Sequence, residues 1–360
     1  MKMKSLKIGI ISCGGTILME RGTSGALEPK KSVESVLSAI NLGEIASDLE
    51  LSKENVYELF RLDSTNLNQV HWKLIIEKIK EVQEVCDGIL VFHGTDTMAY
   101  SATAVGLVMS QNLKVPVVFT GAQKPIGETG SDAIANVERS LLVLREAIRE
   151  EILESMIFFG HEAYRGVNSR KRSESQFEAF ESPNYRPLFV VDGMGCRIGF
   201  VGRNKEDILK AKKNIGVQLR NEFANGIVPL SVVPGLEPEV LMSIAKRDFC
   251  SLIILNSLGV GNLPSEGKYS FVPAIEYITK KLKKLVVVTS PFVGGQVDMN
   301  IYQPGKLASE AGAIDAGSMT PEATLVKIRL LFAHPEFSRS KTKFREALLS
   351  NFAGENSSRL

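Results

Sequence analysis

Cysteine, histidine, tryptophan and net charge are all scarce in this 360-residue chain, which has four cysteines, four histidines, one tryptophan and a formal charge of +2. The cysteines, Cys13, Cys86, Cys196 and Cys250, lie far apart and form no Cys-x-x-Cys pair. That spacing argues against a zinc site and a disulfide framework, and reduced thiols are the expectation. His71, His161 and His334 have no second histidine at ligand spacing, so no metal site is expected. His71 reads as lying on a solvated helix face and His334 in a terminal loop. With 43 Lys and Arg against 41 Asp and Glu, the chain lacks the basic excess that tracks phosphates, and nucleic acid is not an expected partner. No apolar run approaches the roughly 18 to 20 residues of a membrane span. Met1 to Leu6 leads straight into a strand pattern rather than a signal-peptide core, so the expected location is the cytoplasm. There is no internal repeat and no low-complexity tract.

What is present suits a globular chain of more than one core. Hydrophobic residues make up 44% and charged residues 23%, and thirty glycines outnumber fourteen prolines, as in a chain with many tight strand-to-helix turns. Short apolar runs end in glycine turns: Leu6 to Ile11 before Cys13-Gly14-Gly15, Gly88 to Phe92 before His93-Gly94, Val115 to Phe119 before Thr120-Gly121, and Met156 to Phe159 before Gly160. Between them, Trp72, Ile75, Ile76, Ile79 and Val82 recur in steps of three and four, one face of a helix. Strands alternating with helices predict a larger N-terminal α/β domain with a doubly wound, mostly parallel sheet over residues 1–190. A second, smaller C-terminal α/β domain, 226–353, carries Leu252 to Leu255 and Leu285 to Val288. Residues 191–225 read as a connecting segment and 354–360 as a frayed tail.

In such sheets ligands bind beyond the carboxyl ends of the strands, which picks out Ser12-Cys13-Gly14-Gly15-Thr16 and His93-Gly94-Thr95-Asp96-Thr97. The first loop lacks the Gly-x-Gly-x-x-Gly spacing and the Gly-Lys-Ser/Thr of phosphate-binding loops, leaving a plain turn as its ordinary reading. In the second, a hydroxyl stands beside a carboxylate and needs only a base to become a nucleophile or a water activator. Lys171 is a candidate base, although its setting, Arg165 to Arg172, reads equally as a solvated basic loop.

Cys13-Gly14-Gly15-Thr16-Ile17, His93-Gly94-Thr95-Asp96-Thr97-Met98 and Arg165-Gly166 through Lys171 to Phe180-Glu181-Ser182-Pro183-Asn184, in this order, resemble the bacterial-type L-asparaginase and glutaminase family, closest to its cytoplasmic type. Thr120-Gly121-Ala122-Gln123 with Ser131-Asp132-Ala133, Gly259 to Pro264 and Thr289 to Met299 extend the match over about residues 6 to 333. The resemblance implies an amidohydrolase that releases ammonia from a side-chain carboxamide of asparagine, or of an asparagine-like compound, through an acyl-enzyme and without a cofactor. It implies Thr95, Asp96 and Lys171 as a catalytic relay, and Ser64 with Thr65 and Gly94 as binders of the substrate. Asp96 matches the group that pairs with the α-ammonium, and Asn262 the asparagine lent by a neighbouring subunit. A homodimer or homotetramer with shared sites is then expected. Backbone N–H groups around Gly14 and Gly94 suit an oxyanion hole.

Two departures stand out. Cys13 occupies the position read as the first nucleophile, which is threonine in the family; a thiol needs less help from a base than a hydroxyl, and the competing reading is an inert buried thiol. Met19 to Pro29, where the family has a lid with a tyrosine, contains no tyrosine, and Asp298 is the only candidate for the acid that partners it. Three functions follow: an asparaginase with Cys13 as nucleophile; a cysteine amidase or acyl-transferase acting on an asparaginyl or glutaminyl group of a larger molecule; and a non-catalytic amino-acid-binding relative. A transfer-RNA amidotransferase subunit shares these motifs but usually carries an extra N-terminal domain, which is not expected here because only six residues precede Lys7.

Overall fold

The computed structural model describes residues 5–40, 48–292 and 296–356. Within them the chain divides into two compact units, residues 1–221 and 222–360.

The first unit is built on the strands β1 (Leu6–Gly14), β2 (Glu20–Arg21), β3 (Leu27–Glu28), β4 (Leu49–Glu50), β5 (Val56–Leu62), β6 (Gly88–Phe92), β7 (Val117–Thr120), β8 (Ser155–Phe159), β9 (Glu162–Arg165), β10 (Arg170–Lys171), β11 (Phe180–Glu181), β12 (Phe189–Asp192) and β13 (Gly195–Ile198). Nine of them form one sheet in the order β13-β12-β9-β8-β7-β6-β1-β4, with β5 also on β1. The β4-β1-β6-β7-β8 part is parallel, as is the β1–β5 pair, and β9, β12 and β13 join antiparallel. The central strands β6, β7 and β8 are buried at every position, as expected when helices cover both faces. The helix Gln69–Val82 buries the stripe Trp72, Ile75, Ile76, Ile79 and Val82. The helix Ala133–Arg149 packs across β6, β7 and β8, and Met98–Val108 is buried nearly all round.

Several sequence expectations need correction. The segment 191–225 is not a plain connection: β12 and β13 extend the large sheet as a hairpin, and Lys205–Ile215 is a helix. The charged run before it is a capping signal. Asn204 accepts from the N–H groups of Glu206 and Asp207 while Asp207 reaches back to Asn204 N, and Gly216 closes the helix at φ 66°. His71 is likewise a cap rather than a solvated face: its Nδ1 accepts from Asn68 N at 3.2 Å and its ring meets Phe60 edge-on.

The second unit carries β14 (Ile227–Ser231), β15 (Leu252–Asn256), β16 (Leu285–Thr289) and β17 (Ile314–Asp315), a four-stranded parallel sheet in that order. Val232, Leu241, Leu255, Phe271, Ile275 and Val288 belong to its core. Its chain end is not frayed through residue 356: Glu355 and Asn356 are buried, with Glu355 paired to the buried Lys327 at 2.6 Å and Asn356 Oδ1 accepting from Ser318. Residues 357–360 lie outside the described residues. His334 sits in the expected loop, between the helices Pro321–Phe332 and Pro335–Ser338, where it is fully buried and its Nδ1 lies 2.7 Å from Leu330 O.

Candidate active site

Three glycines bring three loops of the first unit together beyond the carboxyl ends of β1, β5 and β6. Gly14 and Gly15 have φ of 85° and 91°, a region that side chains other than glycine rarely adopt. A Cβ on Gly14 would stand 2.6 Å from Leu62 O, one on Gly15 2.4 Å from Gly94 N, and one on Gly94 2.6 Å from Ser64 Oγ. Backbone therefore meets backbone where side chains would hold the loops apart. Short 3₁₀ turns open at these junctions, Thr16–Leu18, Ser64–Asn66 and Thr95–Thr97. Thr97 Oγ1 donates to Ser64 O at 2.8 Å, locking the last two turns to each other.

Between them lies a cavity of about 150 Å³. Thr16, Ser64 and Thr95 contribute hydroxyl-bearing residues to its wall, Asp63, Asp96 and Glu174 carboxylates, and Lys171 an ammonium; Gly15, Gly94, Met19 and Gln123 complete the lining. Three acids against one base make the lining an acidic one. Lys171, 11% exposed, reaches in from β10, which pairs with β11 through Lys171 and Phe180. Its Nζ lies 2.8 Å from Thr95 Oγ1, 2.6 Å from Asp96 Oδ1 and 2.6 Å from Glu174 Oε2.

The residues around the cavity explain the other letters of the motifs. His93 is buried, and burial pulls its imidazole down to about 4, so the ring is neutral. One nitrogen lies 2.7 Å from Gly94 O and the other 2.8 Å from Ser101 Oγ; since a carbonyl only accepts, Nδ1 carries the proton and Nε2 accepts from Ser101. The ring thus holds the Gly94 loop. Asp132 gathers the backbone N–H groups of Gln123 and Lys124 and the Asn136 amide, fixing the cavity wall that Gln123 forms.

Not every candidate arrives. Ser64, Gly94, Thr95, Asp96 and Lys171 converge on the cavity. Thr65 is exposed and donates its hydroxyl to Asp63 at 2.8 Å. Asn262 belongs to the second unit, in a tight turn with Leu258. Cys13 requires a correction: it is fully buried at the end of β1, does not line the cavity, and its thiol is pushed up by desolvation alone. Gly14 is no free donor either, since its N–H faces Ser12 Oγ at 3.5 Å. Thr16, Asp63, Gln123 and Glu174 line the cavity although the motifs do not single them out as site residues. The Met19 to Pro29 stretch forms the β2–β3 hairpin, whose Arg21 pairs with Glu128 at 2.8 Å. Asp298 accepts from Asn300 N within its own turn, and part of the stretch before it, 293–295, lies outside the described residues. Among the described residues, no group of three or more His, Cys, Asp or Glu is placed to hold a metal ion, and no helix is long and apolar enough to cross a membrane.

A lysine-linked hydroxyl cluster at the mouth of a parallel sheet, with a second α/β unit following it, points to the class of α/β amidohydrolases. Residues 7–199 match the family model for the asparaginase N-terminal domain, and residues 227–346 that for the glutaminase/asparaginase C-terminal domain. The chain belongs to the asparaginase family. It is 32% identical over 355 residues to a subunit of the glutamyl-tRNA(Gln) amidotransferase of Metallosphaera sedula, covering 97% of this chain and 76% of that one. It is 30% identical to L-asparaginase 1 of Escherichia coli K12, covering 98% of each chain. The solved structure of the thermostable L-asparaginase from Thermococcus kodakarensis superposes with a TM-score of 0.85 at 28% identity, over 98% of this chain and all of that one.

Proposed function

We propose that the protein hydrolyses the side-chain carboxamide of asparagine or a close analogue, with Thr16 rather than Cys13 as first nucleophile and with Lys171, Thr95 and Asp96 as the proton relay. The observation that carries this reading is the Lys171 ammonium position, within hydrogen-bond reach of both the Thr95 hydroxyl and the Asp96 carboxylate inside a cavity that Thr16 also lines. Thr16 Oγ attacks the amide carbon, its proton passing through the relay to the departing nitrogen. The C–N bond breaks, ammonia leaves, and an ester remains on Thr16; water, deprotonated by the same lysine, cleaves it to the acid. The Thr16 and Thr95 turns open at glycine caps that offer their first N–H groups no side-chain acceptor, and on this reading those N–H groups receive the developing oxyanion. Asp96 takes the α-ammonium and Ser64 the α-carboxylate.

Likeness to the amidotransferase subunit supports a second use of the same chemistry, in which the carboxamide is part of a larger molecule or the ammonia is handed to a partner. A cavity of about 150 Å³ suits a free amino acid better. The test is ammonia release from asparagine, glutamine and asparaginyl conjugates by wild type, Thr16→Ala and Cys13→Ala. The reading requires release from a free amino acid and a loss of at least about a thousandfold in Thr16→Ala. Release only from conjugates selects the second use, and an active Thr16→Ala refutes the nucleophile.

A further inference from the structure

We propose that Glu174 is a positioning residue that aims the Lys171 amine at Thr95, an assignment that rests on the amidase reading above. Glu174 stands three residues beyond Lys171 and is 81% exposed, yet its carboxylate is 2.6 Å from Lys171 Nζ. The loop that carries it is held. Ser173 Oγ accepts from the N–H groups of Ser175 and Gln176 at 3.2 and 3.0 Å. Gln123 Nε2 donates to Ser173 O and Gln176 O. The backbone N–H of Gln123 is in turn fixed by Asp132. A freely waving surface acid would not be tied to the cavity wall in this way.

The role follows from the donors available. A working base must be the neutral amine, which has two N–H donors and one lone pair at roughly tetrahedral angles. Asp96 and Glu174, as carboxylates, only accept, whereas the Thr95 hydroxyl can donate. With both acids in place the two N–H groups are directed at them, and the lone pair faces Thr95. Without Glu174 only one N–H is directed, and rotation about Cε–Nζ lets the lone pair turn away. Among the described residues, the charged groups that line the cavity with Lys171 are Asp96 and Asp63 on the facing turns and Glu174 on its own loop.

The experiment is the pH profile of kcat and kcat/KM for ammonia release by wild type, Glu174→Gln, Glu174→Ala and Lys171→Met, at low and high salt, with thermal melts on each. Glu174→Gln keeps an acceptor without charge, and its plateau kcat stays within about threefold of wild type. Glu174→Ala loses the acceptor altogether, and its plateau kcat falls by roughly tenfold at little-changed KM. A Glu174→Ala enzyme with a wild-type plateau kcat, beside an inactive Lys171→Met, overturns the positioning role and leaves the amidase reading intact. An active Lys171→Met, or a wild type releasing no ammonia, overturns both.

Discussion

Lys171 in the first unit and Lys327 in the second each hold three oxygen partners, and the difference between their partners separates chemistry from scaffolding. Lys327 is fully buried, donating to Leu348 O at 2.9 Å, to Ser350 O and to Glu355 Oε1 at 2.6 Å, beneath the Phe352 ring at 4.4 Å. All three oxygens only accept, so none of them can donate a proton back to the amine. Lys171 has two such acceptors, but its third partner, the Thr95 hydroxyl, can return a proton, and the cluster opens on a cavity. A lysine surrounded by acceptors is a rivet, whereas one with a single donor among them is, on the proposed reading, a switch for proton transfer.

The sharpest way to break this comparison is to remove both amines in turn. Lys171→Met is expected to lower turnover by at least about a thousandfold, within the range for lost acid–base catalysis, while the melting temperature moves by only a few degrees. Lys327→Met is expected to do the reverse. It strands a buried carboxylate, at a cost of about 3 to 5 kcal/mol, while turnover per folded molecule stays within about twofold. Denaturant unfolding and active-site-normalised rates read the two together. A folded but inactive Lys327→Met would end the distinction.

Acid titration probes the rivet alone, with a smaller effect. Burial pulls the Lys327 ammonium down, but Lys327 and the N–H groups of Phe352 and Ala353 hold Glu355 below the usual carboxylate range, and with three acceptors around Nζ the charged pair is the state the geometry favours. A carboxylate with a depressed folded value adds stability in full above its unfolded value of about 4.3 and loses it as pH falls through the folded one. Unfolding free energy should therefore drop below about pH 4.5 with a slope of up to about 1.4 kcal/mol per pH unit from this group. Glu355→Gln should remove that component of the slope; an unchanged acid limb in the variant would show that the pair is not ionised.

Much of this architecture is legible in the residues, and what is hidden shares a cause. The apolar runs before Gly14, Gly94 and Gly121 mark parallel strands because burial on both faces requires continuous hydrophobic sequence. Thr95 and Asp96 belong to one motif and Lys171 to another, the order of the motifs implies a common site, and the Lys171 amine stands within hydrogen-bond reach of both. The helix Lys205–Ile215 is hidden because its Asn204-x-x-Asp207 cap looks like surface charge, and the ordered 354–356 end because burial of Glu355 depends on a lysine 28 positions away. Glu174 carries no signal in sequence, since an exposed acid in a basic loop is ordinary. The first loop does carry one. In the second loop the residue before the glycine, His93, is packed inward, and the residue after it, Thr95, lines the cavity. Applying that order to the first loop selects Thr16 and consigns Cys13 to the strand.

The smallest expected effect is thus the most telling about that loop. Cys13→Ala removes one buried sulfur from the end of β1, where a small cavity costs on the order of 1 kcal/mol, and leaves Gly14, Gly15 and Thr16 in place. Turnover should stay within about threefold of wild type. Desolvation pushes the Cys13 thiol up with no cationic neighbour to counter it, so at neutral pH it should also resist iodoacetamide while the protein is folded. Intact mass after incubation with substrate should place any trapped acyl group on the peptide containing Thr16 as a hydroxylamine-resistant ester in Cys13→Ala as in wild type. An adduct lost with the sulfur would require the end of β1 to turn its side chain out past the double glycine, and with it the order of packed and open residues that both loops share.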